Sequence, residues 1–131
     1  MQVTCAIIIQ NKSVLLAQRA SGHDRAGQWE FPGGKIHPGE SAEACIHREI
    51  MEELGVAIFV LLQGPDVQHS YPDKSISLIP FICNLKSGTP QALVHEALCW
   101  KRYDCLSREE MCAADRRILD WFLTVVPQFL P

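Results

Sequence analysis

The sequence lacks a hydrophobic run long enough for a membrane helix, and it has no internal repeat or low-complexity stretch. Its apolar run near the N-terminus, Ala6 to Ile9, is too short for a signal-peptide core, and no basic residue precedes it. No Pro/Gly-rich linker divides the 131 residues. We therefore expect a cytoplasmic location and one domain spanning residues 1–131.

Paired cysteine spacing is also lacking. None of the six cysteines forms a C-x-x-C pair, and no Cys/His pair has the spacing of zinc ligands. We expect reduced thiols that are mostly buried as small apolar groups, rather than disulfides or a zinc site. The six are Cys5, Cys45, Cys83, Cys99, Cys105 and Cys112.

Charge of one sign is not in large excess, since 12 basic and 15 acidic residues give a net charge of −3. This balance argues against a nucleic-acid duplex or an anionic membrane as a stable partner. A small, highly charged ligand that binds together with cations remains compatible with it. Hydrophobic residues make up 47% of the chain, which is enough for a core. The sequence does not indicate the oligomeric state.

The hydrophobic pattern predicts several strands and two separated helices. A helix is expected over Ala42–Leu54, capped by Ser41 and ended by Gly55, and a second helix after Asp115 as its N-cap. Two prolines favour a loop over Gln63–Lys74. This order predicts an α/β fold with a mixed β-sheet between helices. The expected strands are Val3–Ile9 and Val14–Gln18 (joined by a turn at Asn11-Lys12), Val56–Leu62, Ser75–Leu85 and Ala97–Tyr103, with a short extended piece at Trp29–Phe31.

Three glutamates share one face of the first predicted helix. Glu49, Glu52 and Glu53 are spaced i, i+3 and i+4, near the helix C-terminus, where anions are unfavourable. Arg48 offsets part of this repulsion by pairing with Glu52. Apolar residues on the opposite face should leave the acids pointing outward. A divalent cation such as Mg²⁺ or Mn²⁺ would explain the arrangement, and a solvated acidic face is the alternative.

The spacing upstream distinguishes these explanations. Gly34 is followed after five residues by Glu40, and after seven more by Arg48-Glu49-Ile50-Met51-Glu52-Glu53-Leu54-Gly55-Val56. This segment resembles the Nudix box, G-x5-E-x7-R-E-U-x-E-E-x-G-U with U apolar, at every fixed position. The resemblance implies a Nudix fold and hydrolysis of a nucleoside diphosphate linkage.

The resemblance also implies site roles. Metal ligands would be Glu49, Glu52, Glu53 and the Gly33 carbonyl, while Arg48 and Glu40 hold the loop and orient the acids. Bound metal would activate water and neutralise charge. Glu49 is the first candidate to assist proton removal, and Glu96 is the alternative base.

Outside the box, the motifs Gln18-Arg19-Ala20, Trp29 to Ile36, His69-Ser70-Tyr71-Pro72 and Ala113-Ala114-Asp115 loosely resemble those of MutT-like nucleoside triphosphate diphosphatases, and the match covers most of residues 3–122. It implies that Arg19 contacts the nucleotide, and that Glu30, Phe31, Pro32 and Gly33 line the base and sugar side. Lys35 would meet a phosphate or remain a surface lysine. Phe81 is expected to be core rather than base-facing, Trp100 and Trp121 to be core, and His69 and Tyr71 to border the pocket or lie on the surface.

The residue before the last helix reads the base edge in this subgroup, and here it is Asp115. An ionised aspartate accepts from the cytosine amine, and a protonated one could serve an oxidised purine. The chain departs from related sequences where a Glu-His pair precedes the last strand, because it reads Val94-His95 followed by Glu96.

The expected reaction is Mg²⁺-dependent hydrolysis of a (deoxy)nucleoside triphosphate to monophosphate and pyrophosphate, as in clearance of 8-oxo-dGTP or of a cytidine-type nucleotide. The alternatives are ADP-ribose, a dinucleotide polyphosphate or an RNA 5′ end as substrate, or a non-catalytic nucleotide-binding module. The sequence fixes neither the base preference nor the physiological role.

Overall fold

The computed structural model describes residues 1–126, which form a mixed sheet and two α-helices. The helices are α1 (Ala42–Leu54) and α2 (Ala113–Val125), with short 3₁₀ turns at Tyr103–Cys105 and Arg108–Glu110. The strands are β1 (Gln2–Gln10), β2 (Ser13–Gln18), β3 (Trp29–Glu30), β4 (Ala57–Gln63), β5 (Val67–Tyr71), β6 (Lys74–Ser87) and β7 (Ala97–Arg102). Within these residues no helix is long and apolar enough to cross a membrane.

The sheet opens between β1 and β2, and this gap positions the glycine-rich loop. The two strands form the predicted hairpin through Asn11 and Lys12, whose φ angles of 50° and 65° suit a tight two-residue turn. Their paired residues are only Ile9 with Val14 and Gln10 with Ser13. Residues 32–36 then run along the free edge of β1. The amides of Thr4 and Ala6 donate to the carbonyls of Gly34 and Pro32, both at 2.8 Å.

The core has one layer on each face of the sheet, as alternation along β1 requires. Buried Ile46, Ile50 and Leu54 of α1 pack with Ala6 and Ile8 on one face. On the other face, Cys5, Ile7 and Ile9 pack with a buried stripe of α2, which consists of Ala114, Ile118, Leu119 and Phe122. β1 pairs with β6 in parallel, and β2, β4 and β5 make antiparallel pairs. The predicted α/β fold, with a mixed sheet between helices, is confirmed.

Helix α1 begins and ends where its sequence predicts. The Ser41 hydroxyl accepts a hydrogen bond from the Ala44 amide at 3.0 Å, which satisfies one free donor of the first turn. Gly55 follows the helix with φ 69°, a left-handed conformation that glycine adopts without strain, and its amide donates to Met51. The glutamate-bearing helix is therefore fixed at both ends.

Two sequence-based expectations about the fold are wrong. The segment Gln63–Lys74 is not all loop, because β5 pairs with the start of β6 from Val67–Leu78 to Tyr71–Lys74. Its prolines, Pro65 and Pro72, lie outside the strand and flank it. The second correction concerns Asp115, which is not the N-cap of the last helix. Cys112 occupies the N-cap position, and Asp115 lies inside the first turn of α2.

The cysteines behave as small apolar groups. All six are free, and Cys5, Cys45, Cys83 and Cys112 are buried. Cys99 is half-buried and Cys105 is exposed. Burial raises the pKa of the Cys83 and Cys112 thiols to about 12, which leaves them protonated and unreactive.

Candidate active site

Arg48 joins the glycine-rich loop to the glutamates of α1. Its guanidinium binds both carboxylate oxygens of Glu40, with Nε at 2.7 Å and Nη2 at 2.9 Å. Nη1 donates to Glu49 at 2.9 Å and to Glu52 at 3.2 Å, and Nη2 also donates to the Lys35 carbonyl at 3.1 Å. The hydrogen bonds from Arg48 and from the His37 amide lower the pKa of Glu40 to about 2. One planar side chain thus fixes the loop and two acids together.

The three glutamates differ in exposure. The Glu52 side chain is 57% exposed and that of Glu49 is 12% exposed. The expectation that all the acids point outward is wrong for Glu53, whose Oε1 is buried and has no hydrogen-bond partner within residues 1–126. Burial raises the pKa of Glu53 to about 8, and the negative charges of Glu30 and Glu49 act in the same direction. A hydrogen bond with the Gly33 backbone opposes the shift in part.

Two glycines make the close approach of loop and helix possible. A Cβ atom on Gly33 would lie 2.0 Å from the Thr4 carbonyl oxygen, which is backbone and cannot move aside. A Cβ atom on Gly34 would lie 2.4 Å from the carboxyl carbon of Glu49. The loop therefore contacts β1 on one side and the α1 acids on the other.

This set of groups fits a hard divalent cation. Carboxylate oxygens and a backbone carbonyl are the ligands that Mg²⁺ and Mn²⁺ prefer. The unpartnered Oε1 of Glu53 is a buried acceptor for which a cation is a suitable partner. Repulsion among Glu30, Glu49 and Glu53 would be relieved by the same positive charge.

A cleft of about 280 Å³ opens beside these acids. Of the predicted substrate-binding residues, all but Pro32 line it, and Glu53 lines it from the acid side. Pro32 is buried in the loop along β1. Lys35 is exposed at the cleft, and Glu49, Glu52 and Arg48 are not among the lining residues. The predicted residues in the lining are Arg19, Glu30, Phe31, Gly33, Lys35 and Asp115.

Glu30 contacts the side chains of both Arg19 and His95 at the cleft. Arg19 Nη1 donates to its Oε1 at 2.8 Å, and His95 Nε2 lies 3.0 Å from its Oε2. The His95 side chain is only 5% exposed, and its Nδ1 has no hydrogen-bond partner among the residues that the structure describes. The sequence did not identify His95 as a site residue, although Val94-His95 stands where related sequences have a Glu-His pair. Glu96 is exposed and is not among the residues that line the cleft.

Asp115 is a buried acid that lines the cleft and is 6% exposed. Its Oδ1 accepts a hydrogen bond from the Phe31 amide at 2.9 Å, which connects α2 to the loop. Burial raises its pKa well above the usual aspartate range, and the charge of Glu30 adds to this. Ligand atoms of Asp115, Glu30 and Cys112 all lie within 4.8 Å of one another. A neutral Asp115 can both donate and accept a hydrogen bond.

The remaining candidates divide between cleft and core. Tyr71 lines the cleft, and its hydroxyl accepts from the Ala114 amide at 2.9 Å. His69 packs against the Tyr71 ring, with centroids 4.6 Å apart, outside the lining. Phe81 is fully buried in the α1-side core, as expected. Trp100 and Trp121 pack against the two core layers and are partly buried.

The structure thus places an acid-bearing helix, braced by Arg48, next to a glycine-rich loop and a cleft. The family model described as NUDIX domain matches residues 1–122. The chain therefore belongs to the Nudix hydrolase family, whose enzymes use divalent metals. The resemblance inferred from the box is confirmed.

Individual relatives cover most of the chain. The CTP pyrophosphohydrolase of Escherichia coli is 35% identical over 95% of this chain and 92% of its own length. The 8-oxo-dGTP diphosphatase of Haemophilus influenzae is 30% identical over 94% of this chain and 92% of its own. The solution structure of the E. coli ORF135 protein, at 33% identity, aligns with a TM-score of 0.81 over 98% of this chain and 91% of that one.

Proposed function

We propose that this protein hydrolyses nucleoside triphosphates to the monophosphate and pyrophosphate with Mg²⁺ bound by Glu49, Glu52, Glu53 and the Gly33 carbonyl. The buried, unpartnered Glu53 Oε1 at the edge of the cleft is the observation that carries this proposal. A carboxylate held there without a partner has a cost in folding stability. A cation that contacts both this oxygen and the substrate phosphates would offset that cost.

Bound Mg²⁺ supplies positive charge to the phosphate oxygens and lowers the pKa of water. The chain's own residues orient that chemistry. Arg48 holds Glu49 and Glu52 in place, and Glu40 fixes Arg48. Glu49 is our candidate to accept the proton of the attacking water, because it adjoins Glu53 and the Gly34 loop. Exposed Glu96 is less suited to that role.

The nucleoside would occupy the cleft between Arg19 and Asp115. Names of the relatives point to two bases, since one is a CTP pyrophosphohydrolase and the other an 8-oxo-dGTP diphosphatase. A neutral Asp115 presents one donor and one acceptor. Cytosine offers a matching pair in its N4 amine and N3, and 8-oxoguanine does so in N7–H and O6. We therefore propose cytidine-type and oxidised guanine triphosphates as the first substrates to test.

The test is a nucleotide panel scored for pyrophosphate release with Mg²⁺ present, including 8-oxo-dGTP, CTP, dCTP and 5-methyl-dCTP. Glu53→Gln should abolish turnover while the protein stays folded. Glu43→Gln is the matched control, because Glu43 is an exposed glutamate in the first turn of the same helix. It should keep the wild-type rate.

Absence of turnover for every triphosphate would refute the proposal. Release of phosphate rather than pyrophosphate, or turnover confined to ADP-ribose, a dinucleotide polyphosphate or a capped RNA, would move the protein to another branch of the family. Tight nucleotide binding without Mg²⁺-dependent turnover would identify a binding module.

A further inference from the structure

Asp24 is the shared partner of three cationic side chains at the cleft. Its carboxylate lies 2.6 Å from Arg19 Nη2, 2.8 Å from Arg25 Nη2 and 3.1 Å from Lys74 Nζ. Its backbone carbonyl also accepts a hydrogen bond from Arg19 Nε at 2.7 Å. Contacts with Lys74 and Arg19 lower the pKa of Asp24 to about 2, so the carboxylate is ionised at neutral pH.

The three cations line the cleft, whereas Asp24 does not. Asp24 therefore contacts them from outside and would act on a bound molecule only through them. In the protein as described, Arg19 donates two hydrogen bonds to Asp24 and one to Glu30. Most of the hydrogen-bonding capacity of Arg19 is thus used within the chain rather than offered to a ligand.

The segment 20–28 that contains Asp24 is attached to the β5–β6 turn. Arg25 Nη1 lies 3.2 Å from Asp73 Oδ1, and its guanidinium carbon lies 3.7 Å from the centroid of the Tyr71 ring. Arg25 adopts a φ of 56°, a left-handed conformation that non-glycine residues rarely take. The contacts of Arg25 thus hold this segment against the β5–β6 turn. The backbone around Asp24 is therefore fixed near the three cations.

Three cations at this wall, Arg19, Arg25 and Lys74, face three acids, Asp24, Glu30 and Asp73. Their charges cancel before any nucleotide binds. An incoming triphosphate has several negative charges, so it competes with the acids for the same guanidinium and ammonium groups. Among the acids, Asp24 alone contacts all three cations within the residues that the structure describes.

We propose that Asp24 is a positioning residue that competes with the nucleotide for Arg19, Arg25 and Lys74, so that its charge limits the affinity of the cleft for anionic substrates. This inference rests on the proposed function, in which the nucleotide binds beside Arg19. Asp24, an acid outside the cleft, would thus control substrate affinity and not the chemical step. Removal of its charge should strengthen nucleotide binding.

The test compares Asp24→Asn with Asp73→Asn. Asparagine keeps the shape of Asp24 and one acceptor for Arg19, removes the charge, and replaces the oxygen that binds Arg25 and Lys74 by an amide donor. Asp73 is the matched control, because it is an exposed acid that binds Arg25 but contacts neither Arg19 nor Lys74 in the described structure. The readouts are kcat and KM for CTP and 8-oxo-dGTP, each as a function of NaCl concentration.

Asp24→Asn should lower KM roughly two- to fivefold, the scale of one partly exposed ion pair, with kcat unchanged. Its KM should also rise more steeply with salt than that of the wild type, because a net positive charge is then unmasked at the cleft. Asp73→Asn removes one partner of Arg25 alone and leaves Asp24 in place, so its KM and salt dependence should change less than those of Asp24→Asn. A merely structural Asp24 would give the opposite sign, since a loosened segment raises KM.

An unchanged or raised KM in Asp24→Asn would overturn the inference, as would an equal decrease in Asp73→Asn. Equilibrium binding of CTP and 8-oxo-dGTP to Glu53→Gln, with and without Asp24→Asn, repeats the comparison without turnover. If wild-type protein releases no pyrophosphate, the proposed function fails, while this binding comparison still decides the role of Asp24.

Discussion

Replacement of Glu53 by glutamine should stabilise the metal-free protein while it removes activity. The carboxyl is buried, and its pKa is raised from 4.5 to about 8. A raised pKa means that the folded protein holds this proton more tightly than the unfolded chain does. Glu53 therefore has little effect on stability below its ordinary pKa, and it becomes destabilising as the pH rises from 4.5 through about 8.

The magnitude follows from the size of the shift. A pKa rise from 4.5 to about 8, integrated between about pH 5 and about pH 9, amounts to a loss of about 4 kcal/mol of folding free energy. Glutamine has the same shape and does not titrate. The free energy of unfolding of Glu53→Gln should therefore exceed that of the wild type by an amount that grows with pH over this range.

The assay is urea unfolding in EDTA at several pH values, with Glu43→Gln as control. Glu43 is exposed on the same helix, so the Glu43→Gln protein should have the wild-type free energy of unfolding at every pH. Mg²⁺ in place of EDTA at the upper end of the range should stabilise the wild type and not Glu53→Gln. If the free energies of unfolding of the wild type and Glu53→Gln change in parallel with pH, the pKa of Glu53 is not raised as we infer.

Three further substitutions test other parts of the site. Arg48→Lys removes the two-pronged contact with the loop and the paired contact with the acids, and we expect kcat to fall about 10- to 100-fold in a pyrophosphate assay, with the fold retained by circular dichroism. Gly34→Ala places a methyl group against the Glu49 carboxyl, so Mg²⁺-dependent turnover should be lost while urea stability changes little. Asp115→Asn keeps an acceptor for the Phe31 amide and fixes one donor and one acceptor at the base edge, so kcat/KM for CTP and for 8-oxo-dGTP should each lose the decrease that ionisation of Asp115 causes at high pH.

Much of the fold could be predicted because its signals are local. Ser41 and Gly55 bound α1, and the period of Ile46, Ile50 and Leu54 identifies its buried face. The Asn11-Lys12 turn fixes the first hairpin. The spacing of the box needs no tertiary information, since loop and helix are consecutive in the chain.

The missed features depend on contacts between distant parts of the chain. Strand β5 is polar and partly exposed, and its pairing with β6 is visible only in the folded sheet. Glu53 lies next to Glu30 and the Gly33 backbone, and the residue pattern of α1 alone does not reveal these neighbours. Asp115 resembles a helix cap in sequence, but its Oδ1 accepts a hydrogen bond from the Phe31 amide, 84 residues away. His95 and Asp24 acquire their roles through partners that no local pattern reveals.

The most direct test of the central claim is Mn²⁺ binding followed by the loss of the free-ion signal in electron paramagnetic resonance. Wild type and Glu43→Gln should bind Mn²⁺ with the same affinity, and Mg²⁺ should displace it. Glu49→Gln and Glu53→Gln should each weaken binding at least about tenfold, because each removes a charged ligand. Equal Mn²⁺ affinity in all four proteins would contradict the assignment of the α1 glutamates as the metal site.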